Sequence, residues 1–110
     1  MGDFGKKEEM KVLFVITSVP FGKDYTTVVR LVDGLVRRGH EVSVFLSGNG
    51  VYYLTRPEAS FFSDRGVRVL FCSHSAHQRG VEEQPPWAES SSTYNLSRLM
   101  GEMDRVVVFN

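Results

Sequence analysis

Apolar residues along this chain fall into short continuous runs separated by stretches of helical spacing, and the alternation of the two outlines an architecture. Lys11 to Thr17 reads Lys-Val-Leu-Phe-Val-Ile-Thr, a β-branched and aromatic run of the kind that forms a strand buried on both faces of a parallel sheet. Ser18 to Gly22 is expected to be a loop. Asp24 is expected to cap the next helix by accepting from its free N–H groups. Tyr25, Val28, Val29, Val32, Leu35 and Val36 then recur at helical spacing, with Arg37 and Arg38 at the negative end and Gly39 as the stop.

Glu41 to Leu46 predicts a second strand, Ser47-Gly48-Asn49-Gly50 a turn at its carboxyl end, and Val51 to Leu54 a short helical turn. Pro57 ends or restarts that element, and Glu58 to Arg65 fits a further short helix before Gly66. Val67 to Cys72 predicts a third strand, apolar apart from Arg68. Ser73 to Arg79 is short, polar and compatible with a helix ending at Gly80. Glu82 to Ser92, with Pro85, Pro86, Trp87 and three serines in succession, reads as a loop. Tyr94 to Met103 predicts the last helix, and Asp104 to Phe109, with Val106, Val107 and Val108 in series, a fourth strand.

Strands that alternate with helices, each strand a near-continuous apolar run, imply an α/β fold: three layers, α/β/α, around a mostly parallel sheet. In such sheets ligands and chemistry collect at the carboxyl ends of strands, where loops and helix N-termini converge. Cys72 lies at such an end. Residues Met1 to Met10 are polar, contain Gly2 and Gly5, and show no periodicity; they are expected to be a flexible extension preceding one domain over 11–110.

Composition narrows the picture. The chain has 110 residues, of which 42% are hydrophobic and 24% charged, the range of an ordinary globular domain. Lys and Arg number 13 and Asp and Glu also 13, so no basic field exists for direct nucleic-acid binding, and the absence of net repulsion is permissive of self-association. The apolar run Val12 to Ile16 is far shorter than the roughly 20 residues of a membrane span and shorter than a signal-peptide core. Neither a membrane association nor a secretion signal is expected. Lys6 stands where an N-terminal acylation motif wants Ser or Thr. With one cysteine and no signal, a reducing cytoplasm is the expected compartment.

Several chemistries can be tested by spacing. Gly22-Lys23 follows the first strand as a P-loop would, but Thr17 stands where the first glycine belongs and Asp24 where Ser or Thr belongs. Gly48-x-Gly50 lacks a third glycine, since Tyr53 holds that place, and reads as a turn. Cys72, His74 and His77 offer three metal-type ligands without the paired spacing of a structural zinc site. Neither metal nor cofactor is expected. His40 reads as structural, and no G-x-S-x-G elbow supports a serine nucleophile. Trp87 is expected to be at least partly exposed, anchoring its loop in preference to facing a partner. Cys72 has a bland reading as a small hydrophobe at a strand end. It has a functional one as a thiol facing the positive end of the next helix, with His74 or Arg79 adding to the field.

Several segments, in the right order and spacing, resemble the DsrE/TusD-like (DsrE/DsrF-like) proteins of sulfur relay over essentially all of 11–110. The clearest is Cys72-Ser-His-Ser-Ala-His-Gln-Arg79-Gly80-Val81, similar to the family's cysteine followed after six residues by Arg-Gly-Val. Leu99-Met-Gly-Glu-Met-Asp104-Arg105-Val106-Val-Val-Phe109 is similar to its final helix and Asp-Arg-Val-x-x-Phe strand, and Gly39-His40-Glu41-Val42, Val44-Phe45 and Gly50-Val51 to its second-strand region. The resemblance implies the DsrEFH-like fold and a persulfide-carrier role for Cys72, which takes sulfane sulfur from a donor protein and hands it to an acceptor thiol. His74 and Arg79 become candidates for stabilising the persulfide anion. It further implies a sulfurtransferase-type subunit working as a homo-oligomer, trimer or hexamer, or with homologous subunits. With no second cysteine, internal disulfide resolution is not available. The reading from another class is a non-catalytic homo-oligomeric binding or scaffold module of the same fold with an inert, buried Cys72.

Overall fold

A computed structural model of the chain describes residues 9–21 and 24–110. Five strands form one parallel sheet: β1 (Lys11–Ile16), β2 (Glu41–Leu46), β3 (Arg68–Cys72), β4 (Ala88–Ser91) and β5 (Arg105–Phe109), in the order β4-β3-β2-β1-β5. Four α-helices connect them: α1 (Tyr25–Arg37), α2 (Ser60–Asp64), α3 (Ser73–Gln78) and α4 (Thr93–Met100), with 3-10 turns over Gly48–Thr55 and Pro57–Ala59. The expected extension and the Gly22-Lys23 pair lie outside the described residues, except for the end of the former. There Met10 donates from its N–H to His40 Nδ1 at 3.1 Å and accepts from Glu41 N–H at 2.9 Å, so His40 ties the chain to the start of β1.

The strand order explains how the two faces are covered. From β1 to β4 the chain moves steadily toward one edge, so right-handed crossovers place every intervening connection on the same face. The return from β4 across the sheet to β5 reverses direction and puts α4 on the other face. The side-chain alternation agrees. Val12, Phe14, Ile16, Val44, Leu46, Val69 and Phe71 join Val28 and Val32 of α1, Phe62 of α2 and Ala76 of α3 in the larger core cluster. Leu13, Val15, Phe45, Leu70 and Cys72 point the opposite way, to Leu99 of α4 with Leu96 and Met103 packed around them. One short helix cannot span that face, and Val108 of β5 is left 55% exposed.

Three expectations need correction. Asp24 does not cap α1: its backbone is left-handed, with φ 71°, which turns its carboxylate away from the first-turn N–H groups, and the carboxylate accepts from the Ser18 hydroxyl at 3.2 Å instead. Glu82 to Ser92 is not all loop, because Ala88–Ser91 is the edge strand β4, paired with β3 from Val69↔Ala88 to Cys72↔Ser91. Ala-Glu-Ser-Ser has little strand propensity. It holds its place by backbone pairing and by the Arg68–Glu89 ion pair, in which Nε and Nη2 each donate to the carboxylate at 3.0 Å. The C-terminal strand is thus the fifth, not the fourth. Trp87 is half-buried against the larger core cluster and anchors its loop.

Candidate functional site

Cys72 is the last residue of β3 and the N-cap of α3. Its backbone is still extended, with φ −77° and ψ 114°, and its Sγ accepts from the Ser75 N–H at 3.4 Å. The bond takes the place of the oxygen bond a Ser or Asp would make at this position. The thiol is 4% exposed and belongs to the cluster beneath α4. It lines neither of two surface pockets. A pocket of about 310 Å³ opens beside the start of α1 between Phe21, Asp24, Tyr25 and Arg56, and one of about 470 Å³ lies between Leu54, Val81 and Glu82.

The residues predicted to support the thiol are placed differently from one another. His74 and His77 are exposed on α3. Among the described residues no three His, Cys, Asp or Glu side chains gather at metal-binding range. Arg79 follows α3 and reaches back: Nε donates to Asn49 Oδ1 at 2.9 Å and Nη1 to the Ser75 carbonyl at 3.2 Å. Its guanidinium is engaged with the turn after β2 and the body of α3. Ser75 is itself buried, and its hydroxyl accepts from the Gly48 N–H at 3.0 Å.

Ser75, Gly48 and Asn49 were missed by the sequence reading, which took the glycine turn as a connector and passed over Ser75 within a polar helix. The signal was the turn's second glycine. Gly50 passes so close to β1 that a Cβ there would stand 1.9 Å from the Ile16 carbonyl oxygen, a close backbone approach that only glycine allows.

The tyrosines near the first pocket offer no base. Burial pushes the phenol of Tyr53 far above its ordinary range and that of Tyr25 upward too, so both stay protonated at neutral pH. Arg56 sits over the Tyr25 ring, 4.9 Å from its centroid. No helix of the described residues is long and apolar enough to cross a membrane.

Comparison with known proteins agrees with this architecture. The solved structure of the YchN protein from E. coli superposes with a TM-score of 0.79 at 18% sequence identity, covering 93% of this chain and 100% of its own. That likeness shows a shared fold. No curated protein matches the chain. The model of the DsrE/DsrF-like family, which at family level has a sulfur-relay role, matches residues 10–109. The chain belongs to the DsrE/DsrF-like family.

Proposed function

We propose that this protein carries sulfane sulfur as a persulfide on Cys72 and passes it to an acceptor protein thiol. What supports the reading is the position of its only cysteine, at the carboxyl end of β3 with Sγ already accepting an N–H bond, in a chain of a sulfur-relay family. In loading, the Cys72 thiolate attacks the terminal sulfane sulfur of a donor; an Sγ–S bond forms, a donor S–S bond breaks, and the electron pair leaves on the shortened donor. In discharge, an acceptor thiolate attacks the outer sulfur, the Sγ–S bond breaks, and Sγ departs as thiolate. A sulfurtransferase subunit of this kind needs no cofactor.

Donor and acceptor are proteins in this reading, and the chain works in the cytoplasm as a homo-oligomer, trimer or hexamer, or with homologous subunits. The zero formal charge and the thin cover on the α4 face, where Tyr94, Met100 and Val108 are exposed, fit assembly.

The 4% exposure of Cys72 favours a second reading, a scaffold module with an inert thiol. Alkylation of the native protein by a small iodoacetamide separates the two. A carrier has a thiol that reacts in the folded state at neutral pH, and after treatment with polysulfide the label is taken by the outer sulfur instead and is released by a reductant. A thiol that reacts only after denaturation decides for the scaffold.

A further inference from the structure

The turn after β2 is fixed before it reaches α3. Ser47 N–H donates to the Ile16 carbonyl at 3.0 Å, Gly50 N–H returns to the Ser47 carbonyl at 2.8 Å, and Gly50 lies against the end of β1. The turn then presents two groups to α3: the Gly48 N–H, bonded to Ser75 Oγ, and the Asn49 side-chain oxygen, bonded to Arg79 Nε. Arg79 closes the loop by donating from Nη1 to the Ser75 carbonyl. Ser75 is therefore held at its hydroxyl and at its carbonyl, and its remaining polar group, the N–H, points at Cys72 Sγ.

We infer that Ser75 and Arg79 are positioning residues for Cys72, clamping the start of α3 to the β2 turn so that the Ser75 N–H stays on Sγ. This deepens the carrier reading and rests on it. The N–H serves both half-reactions, because Sγ bears negative charge when it attacks the donor and again when it leaves the persulfide. A hydrogen bond to a charged sulfur is stronger than one to a neutral thiol. Arg79 acts through Ser75 and not by its own charge on the sulfur.

The surroundings of Sγ leave few competing charges. Its cluster partners Leu13, Val15, Phe45, Leu70 and Leu99 are uncharged. The titratable or charged side chains on elements beside it are His74, His77 and Arg79 at α3, Glu89 on β4, and Tyr94 and Arg98 on α4. Lys11, Glu41 and Arg68 begin their strands, at the opposite end of the sheet.

The test is the pH dependence of Cys72 alkylation and the rate of persulfide discharge to a small thiol, measured on the full chain. It uses wild type, Ser75→Ala, Ser75→Thr, Arg79→Ala and the double alanine variant, each checked by thermal melting. Ser75→Ala should slow both reactions at neutral pH by about tenfold, the scale of one charge-assisted bond, and move the alkylation profile to higher pH with its plateau unchanged. Ser75→Thr, which keeps the hydroxyl, should restore most of the rate. Arg79→Ala should move the profile the same way, and the double variant no further than the larger single one. Should Ser75→Ala fail to fold, Asn49→Ala removes the outer partner of Arg79 and is expected to shift the profile in the same direction. Profiles unmoved in all these variants of a protein that does load sulfur overturn the clamp alone. So do effects of Ser75→Ala and Arg79→Ala that add in full. A wild type that neither alkylates nor loads overturns the carrier reading itself.

Discussion

Replacing Gly50 by alanine should be among the most damaging single-methyl changes available to this protein. The new Cβ would stand 1.9 Å from the Ile16 carbonyl oxygen and 2.8 Å from its carbon. Against an ordinary closest C···O approach near 3.3 Å, relief requires a movement of about 1.4 Å. Both clashing atoms are backbone, in a strand paired on one side to β2 and on the other to β5, so the turn and not the strand must move. Moving it strains or breaks the Ser47 N–H to Ile16 and Gly48 N–H to Ser75 bonds, at about 1 kcal/mol each. Overpacking strain adds about 1–3 kcal/mol. The expected loss is about 3–5 kcal/mol, a large part of the roughly 5–15 kcal/mol that holds a domain of this kind folded. Gly34 provides the contrast: it sits in α1 with nothing within 4 Å of an added Cβ, and Gly34→Ala should stabilise by about 0.5–1 kcal/mol. Urea denaturation followed by circular dichroism measures both. A Gly50→Ala protein within about 1 kcal/mol of wild type would refute the steric argument and, with it, the rigidity ascribed to the β2 turn.

Three further changes probe other parts of the fold. Tyr53 is fully buried, its ring near Tyr25 and Phe62 and its hydroxyl without a hydrogen-bond partner among the described residues; Tyr53→Phe should therefore be neutral or stabilise by up to about 1 kcal/mol in the same urea assay. Ser92 caps α4 by accepting from the Asn95 N–H at 3.1 Å, and Ser92→Ala should cost about 0.5–2 kcal/mol and speed hydrogen exchange in α4 ahead of the sheet. The hydrogen bond from Arg68 holds the Glu89 carboxyl below its usual value. A depressed acid stabilises above its unfolded pKa and loses that contribution as the pH falls through the folded one. Glu89→Gln should accordingly cost about 0.2–1 kcal/mol at neutral pH, since both partners are half exposed. The difference from wild type should vanish in acid, and a gap that persists there would show that the pair is not its source.

What the sequence revealed and what it hid follow from where each signal lies. Apolar runs such as Val12 to Ile16 and Val42 to Leu46, the latter interrupted only by Ser43, are legible because both faces of those strands are buried. β4 was hidden because an edge strand with one neighbour can be short and polar, and its register depends on a partner 21 residues away, Arg68 for Glu89. The failed cap at Asp24 shows the limit of local rules: residue type suited the role, but the left-handed backbone did not. Cys72 was singled out from its strand-end position and motif, and the structure places it at that strand end. The clamp of Gly48, Asn49, Ser75 and Arg79 was not, because it joins two segments about thirty residues apart, and only the parallel pairing of β2 with β3 brings their ends together.

The most direct measurement on the central claim is intact mass through one full cycle. Wild type and Cys72→Ser are treated with inorganic polysulfide, freed of excess reagent, weighed, mixed with an acceptor thiol, and weighed again. A gain of sulfur is expected on the wild type alone, lost on mixing as the acceptor gains it. A folded wild type that takes up no sulfur, or a Cys72→Ser protein that takes up as much, would contradict it.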